Sequence, residues 1–364
     1  MFDPDVDSAY KTGAGRYIQD TNVLEESGAE IKRYGGKAFV IGGPTALSIT
    51  EDRMEQSFER AGLSHFTQIY SGPVSYEAAD ACASAAKRER CDVIVGVGGG
   101  RIMDLSKAIA ARMRLPVVTV PTSMATCAAY TPLSVMYTEE GAFREYWRLE
   151  YEVNSVLADL GVLSRQPARM AAAGIIDAAA KYIEIQNGTR ALTADNCEFQ
   201  FYSALQYAKY NYEMLLKYAE PAYRDICAGT CSKAVEAAVY LAFPLTGIVS
   251  ALTRASGQSA IAHKVYDGAR SLFFEESKPF LHGEIVGVGL IAQLYYNGDT
   301  ENIPVMREML GKLGLPATLS DIHIPPTEQN LRQFFDYIRC TKFVVSDDDE
   351  RRLWKGLNAL KGTS

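Results

Sequence analysis

Runs of lysine and arginine are missing from this chain of 364 residues, whose formal charge is −7. Nucleic-acid binding needs a basic stripe or patch, so that class of partner is excluded. Cysteine is sparse and scattered, with seven residues at 82, 91, 127, 197, 227, 231 and 340. An odd, dispersed set suits reduced thiols and not a disulfide framework. Cys227 and Cys231 can share a helix face, but no second Cys or His pair lies near them to complete a zinc site. No apolar run reaches the ~18 residues that cross a bilayer. The acidic opening, Met1-Phe2-Asp3-Pro4-Asp5-Val6-Asp7, has no basic-then-apolar signal pattern. A soluble, cytoplasmic protein is expected. Internal repeats and low-complexity tracts are absent as well.

What is present is an ordinary globular composition, 48% hydrophobic and 22% charged, with length enough for two domains. Its focus is Asp92-Val93-Ile94-Val95-Gly96-Val97-Gly98-Gly99-Gly100-Arg101-Ile102-Met103-Asp104-Leu105-Ser106-Lys107. A short apolar run bounded by turn residues reads as a buried parallel strand. It passes through three glycines into a helix with Ile102, Leu105, Ala108 and Ile109 on one face. Glycines let the backbone approach a bound group, and helix-start N–H groups face it, so an anion such as phosphate fits. The spacing matches neither G-x-G-x-x-G nor a P-loop, and a plain tight turn is the alternative.

Strand and helix alternate through the first half, predicting a parallel α/β sheet with ligands at the carboxyl ends of its strands. Gly42-Gly43 and Gly98-Gly99-Gly100 both fall at such ends, which points to a dinucleotide. Pro121 to Tyr137 is a small, hydroxyl-rich loop that can wrap a cofactor or cap its own backbone. The alternation stops at Ala158-Asp159-Leu160-Gly161, giving domains 1–159 and 160–364. The second half reads as almost wholly helical. Within it, Gly174-Ile175-Ile176-Asp177-Ala178-Ala179-Ala180-Lys181 places a carboxylate in an apolar helix, costly to bury unpaired. Glu198 to Tyr218 is thick with aromatics, expected in core and subunit contact. Of four histidines, His65 and His323 read as structural or exposed. His263 and His282 lie in small, apolar, helix-forming surroundings. Two such histidines and a buried Asp fit a mononuclear metal site with an open position, or else satisfied core residues.

Five ordered motifs carry a family likeness across the chain: Gly-Val-Gly-Gly-Gly-x-x-x-Asp-x-x-Lys (96–107), Val120-Pro121-Thr122 with Leu133-Ser134-Val135, Gly174-Ile175-Ile176-Asp177, Ala262-His263, and His282-Gly283-Glu284. Together they resemble the iron-containing alcohol dehydrogenase superfamily in its glycerol dehydrogenase group. The stretches 125–135 and 280–283 look nearest the hydroxycarboxylate dehydrogenase branch. The resemblance implies the dehydroquinate synthase-like fold, an α/β dinucleotide-binding domain followed by an all-α domain, with the active site in the cleft between them. By motif, Gly99, Gly100, Arg101 and Asp104 would line the pyrophosphate, with Gly43 at the adenosine end. Thr122, Ala125, Thr131, Leu133 and Tyr137 would border the nicotinamide, and Asp177, His263 and His282 would hold one divalent metal. The implied activity is hydride transfer between NAD(H) or NADP(H) and a small-molecule substrate in a homo-oligomer.

Departures from the group's pattern refine these expectations. Glycerol dehydrogenases have Asp at Gly43, Ser at Ala125 and Asp at Cys127, and a glycine is common where Ile176 stands. Iron-using members have His where this chain has Lys181, which favours zinc. Without the carboxylate at Gly43, NADP(H) is expected to be accepted. With Cys127 neutral and Lys181 one turn beyond Asp177, a small 2-oxo acid is the expected substrate, its carboxylate held by Lys181. The alternatives are glycerol or another polyol, with Lys181 paired to Glu184 or a backbone carbonyl. Outside the class stand a dehydroquinate-synthase-like cyclase, whose glutamate ligand and lysines are not matched, and a non-catalytic nucleotide-binding protein, which would have lost a metal ligand.

Overall fold

The computed structural model describes residues 12–188, 191–254 and 259–362, so the acidic opening heptapeptide lies outside the described residues. Two compact units are present, Met1–Pro167 with Asp225–Ala251, and Ala168–Arg224 with Leu252–Ser364.

In the first unit, strands β1 (Tyr17–Asp20), β2 (Lys37–Gly42), β3 (Ser64–Ile69), β4 (Val93–Gly98), β5 (Val117–Pro121) and β8 (Ser155–Asp159) form one sheet in the order β1-β8-β5-β4-β2-β3. Every pairing is parallel. β4, β5 and β8 are buried along their whole length, which is why they read as unbroken apolar runs. Strands β6 (Leu133–Tyr137) and β7 (Phe143–Arg148) form a separate antiparallel ribbon.

Three crossover helices matter for the site. α1 (Pro44–Ala61) starts with proline in its first turn and ends on Gly62, whose φ of 62° is left-handed. α2 (Tyr76–Arg88) is capped by Ser75, whose side chain accepts the Ala78 N–H. α3 (Gly100–Met113) follows β4 directly. From β2 the chain moves outward to β3, whereas from β4 it moves the other way to β5. The sheet therefore changes direction between β2 and β4, and their carboxyl ends carry Gly42-Gly43 and Gly98-Gly99-Gly100. Such a switch point opens the crevice in which α/β sheets bind ligands.

The structure moves the expected boundary after residue 159. The short helix Leu160–Leu163 stays with the first unit because the buried Asp159 carboxylate ties both sides, accepting the Val162 N–H at 3.0 Å and the Leu24 N–H at 3.1 Å. Asp225–Ala251 also groups with the first unit. The Gln19 amide donates to the Glu236 carbonyl at 2.8 Å, and Gly247 leaves the space that the Tyr130 ring fills. Helical periodicity alone carries no sign of this return.

Lys233–Leu252 forms 20 helical residues, long and apolar enough to cross a membrane by length and composition. That corrects the expectation that no such run exists. Within it, 67% of the apolar window is buried inside the protein, as in the core helix of a globular unit. A π-helical turn, Leu241–Leu245, absorbs Pro244, which has no N–H to give an α-helical ladder.

The second unit is helical. α4 (Ala168–Ile185) is buried from Ala171 through Lys181, so its sequence is apolar nearly all round. α5 (Phe199–Cys227) buries Tyr212 but exposes Phe199, Tyr207 and Tyr210. α6 (Ile261–Leu272) and α7 (His282–Asn297) supply the rest of the site.

Candidate active site

Asp177 on α4, His263 on α6 and His282 at the first position of α7 come together, a group of three potential ligands whose donor atoms lie within 4.8 Å of one another. Asp177 Oδ1 lies 3.6 Å from His263 Nε2 and 3.5 Å from His282 Nε2. Donors about 2.0–2.1 Å from a tetrahedral ion stand about 3.4 Å apart, so the spacing fits a small divalent cation with a fourth position open. The donor set of two imidazoles and one carboxylate suits zinc and first-row relatives. The Asp177 side chain is 6% exposed and that of His282 30% exposed. Tyr266 packs edge-on against the His282 ring at 4.3 Å.

Glycines allow the three helices to approach this closely. A Cβ on Gly283 would stand 2.6 Å from the carbonyl carbon of Ala173 on α4, and closer still to its oxygen. A Cβ on Gly289 would stand 2.8 Å from Cα of Ala262 on α6. Each contact lies beside a ligand or its neighbour, which explains the His-Gly and Ala-His pairs in the sequence. The start of α7 is fixed further by Arg169, which clamps Glu284 in a fork at 2.6 Å for both nitrogens. Glu284 Oε2 also accepts the Leu281 N–H at 2.6 Å.

Glu184, which the sequence offers only as a possible partner of Lys181, has a role at His263 that sequence reasoning missed. It lies seven residues after Asp177, two turns along the same face of α4. Its fully buried carboxylate accepts the N–H groups of Ala260 (2.7 Å) and His263 (2.9 Å) and pairs with His263 Nδ1. Holding the proton on Nδ1 leaves Nε2 for the ion. Burial alone would lower the His263 pKa, but Glu184 overrides it and raises the imidazole to about 9. In the protein alone His263 is therefore protonated at neutral pH, and a bound ion must displace that proton. Zinc uptake near pH 7.5 is expected to release a proton, with affinity rising as pH climbs toward 9. Glu184→Gln should weaken zinc by about 10–100-fold and reduce the release. Calorimetry in buffers of different ionisation enthalpy reads both effects.

Burial would raise the Asp177 carboxyl, but Lys181 and the two imidazoles hold it well below the usual range. His282 is lowered, chiefly by burial, and so stays neutral as a ligand must. The Lys181 ammonium donates to Asp177 Oδ1 at 2.9 Å from a side chain 4% exposed. It is thus engaged by the candidate metal-site carboxylate itself. Its i, i+4 spacing explains the pairing.

The residues matched to the dinucleotide lie in the first unit. Gly43 precedes α1 in an extended conformation, and a Cβ there would meet nothing within 4 Å. Gly99 and Gly100 open α3, where a Cβ on Gly100 would press on the Thr126 hydroxyl at 2.9 Å. Arg101 is exposed in the first turn. The Thr122 N–H donates to the Gly98 carbonyl at 2.9 Å, bringing the loop to the glycine turn. Ala125 and Cys127 are half-buried, Cys127 beginning the short 3-10 turn Cys127–Ala129. Thr131 is buried and Leu133 begins β6. Tyr137 ends β6, its N–H donating to the Val74 carbonyl at 2.8 Å. Asp104 departs from expectation. Its carboxylate is taken by Lys107 at 3.0 Å and by the Val135 N–H, so it faces the loop and not a pyrophosphate. His65 packs on Phe58 and His323 on Phe280, both apart from the ligand set.

Comparison with known proteins identifies the family. Residues 14–160 match the family model for iron-containing alcohol dehydrogenase. A glycerol dehydrogenase from Pseudomonas putida is 32% identical over 85% of this chain and 84% of its own length. Hydroxycarboxylate dehydrogenase A from Escherichia coli K12 is 28% identical over 80% of this chain and 79% of its own. The crystal structure of glycerol dehydrogenase from Schizosaccharomyces pombe superposes with a TM-score of 0.83 at 23% identity, covering 98% of this chain and 90% of that one. The likeness is thus greater to the first of these two named activities than to the hydroxycarboxylate branch that loop residues 125–135 suggested. The chain belongs to the iron-containing alcohol dehydrogenase family, metal-containing, NAD(P)-linked oxidoreductases acting on a CH–OH group.

Proposed function

We propose that this enzyme interconverts a small polyol, of the size of glycerol, and its hydroxyketone or hydroxyaldehyde. The observation that carries the reading is the ion pair of Lys181 with Asp177 beside two imidazoles at tetrahedral spacing. With the Lys181 ammonium already paired to Asp177, the case for a 2-oxo acid is weakened, and the 32% identity to a glycerol dehydrogenase supports the polyol alternative. Asp177, His263 and His282 would hold a divalent ion, and zinc fits the donors; when bound it supplies Lewis acidity at the substrate oxygen. Glu184 fixes the imidazole tautomer, and Lys181 keeps Asp177 ionised. The glycine turns at the switch point would seat the dinucleotide.

Cys127 supports the 2-oxo acid as the second reading, because it puts no negative charge at that point of the loop. Comparing kcat/KM for dihydroxyacetone and 2-oxobutanoate in zinc-loaded protein decides between them. Faster reduction of dihydroxyacetone is expected, and preference for the oxo acid would overturn the proposal. The same assays read the cofactor. No carboxylate follows β2, and the space at Gly43 can take a 2′-phosphate, so NADPH should serve at least as well as NADH. Preference for NADH beyond about tenfold, about 1.4 kcal/mol, would count against this. A homo-oligomer also fits the exposed Phe199, Tyr207 and Tyr210, and light scattering on the purified protein tests it.

A further inference from the structure

Lys107 is among the largest fully buried side chains of the protein. Its ammonium sits among the backbone carbonyls of Ala128 (2.8 Å), Thr131 (3.0 Å) and Leu133, with Asp104 Oδ1 at 3.0 Å. The loop from Thr126 to Pro132 contains one three-residue turn and no strand, so several inward carbonyls there and at Leu133 take donors from elsewhere. Thr119 supplies one, its hydroxyl donating to the Ala129 carbonyl at 2.8 Å. Lys107 supplies three more, at Ala128, Thr131 and Leu133. Asp104 completes the joint, its carboxylate neutralising the ammonium and accepting the Val135 N–H, while its carbonyl accepts the Ser134 hydroxyl at 3.0 Å. Helix α3 and the loop are thereby joined through one buried cation, close to where Gly100 meets Thr126.

We propose that Lys107 is a positioning residue that sets the loop against the nicotinamide half of the dinucleotide. The proposal rests on the dinucleotide reading above and adds to it the group that shapes the site without touching the cofactor. Hydrogen bonds from a charged donor are the strong ones, and carbonyls left without it would turn outward toward water. The loop would then lose its form while the glycine turns of β2 and β4, which need no help from Lys107, kept theirs.

The test compares binding of NADPH and NADH with binding of ADP-ribose and 2′-phospho-ADP-ribose, which lack nicotinamide. In Lys107→Met, dinucleotide affinity should fall at least about tenfold, about 1.4 kcal/mol, with ADP-ribose affinity unchanged. Because Lys107→Met leaves Asp104 buried and unpaired, the double variant Asp104→Asn, Lys107→Met carries the same comparison with no orphaned charge. Unchanged dinucleotide binding in the folded variants, or equal loss of dinucleotide and ADP-ribose, overturns the role of Lys107 alone. Failure of the wild-type protein to bind any of the four ligands overturns the dinucleotide reading itself.

Discussion

His282→Ala should remove turnover almost entirely while leaving the folded protein in place. An ion held there would contribute several kcal/mol to stabilising charge in the transition state, so loss of a ligand should cost roughly 10³-fold or more in kcat/KM. The fold should survive because His282 is the first residue of α7 and its side chain is 30% exposed, and because Arg169 and Glu284 hold the helix start without it. Activity, bound zinc and melting temperature in chelator report the three parts separately. A variant that retained wild-type activity after chelator treatment would refute metal dependence.

Gly283→Ala should have the second large effect, and through a different cause. The added methyl would meet the main chain of Ala173, where no flexible side chain can yield. Separating α7 from α4 moves His282 away from Asp177, so both stability and metal affinity should fall. Overpacking a tight contact costs about 1–3 kcal/mol in stability. The metal loss should be the larger, because ligand distances tolerate shifts of only about 0.2 Å. Gly311→Ala is the control, since a Cβ there would meet nothing within 4 Å. Equal behaviour of the two variants in zinc titration and thermal melts would sink this explanation.

The sequence disclosed those parts of the site that depend on local pattern. β4 and α3 announced themselves because a wholly buried strand must be apolar and a close-approach turn must be glycine. Asp177 stood out because a carboxylate inside an apolar helix needs a partner, and the histidines because only four exist. Glu184 was hidden, since its partners Ala260 and His263 come from a helix that sequence spacing cannot place. Two turns from Asp177 on one helix face was the available sign. Lys107 was quoted in a motif and given no task, although a lysine between Leu105 and Ala108 on the apolar face of α3 must bury its charge against something. The return of Asp225–Ala251 to the first unit was invisible for the same reason: its contacts are made at long range by residues with unremarkable local pattern.

The sheet order also governs how the chain can assemble during synthesis. Among the described residues β1 is the first strand to leave the ribosome, yet its partner in the sheet there is β8, Tyr17 lying opposite Val156. β8 in turn pairs with β5, so the first-made strand has no place to dock until the last has found its own. Pairing across so long a separation closes slowly. An emerging chain cut short before Ser155 thus exposes β5 as an unprotected edge, open to pairing with a neighbouring nascent copy.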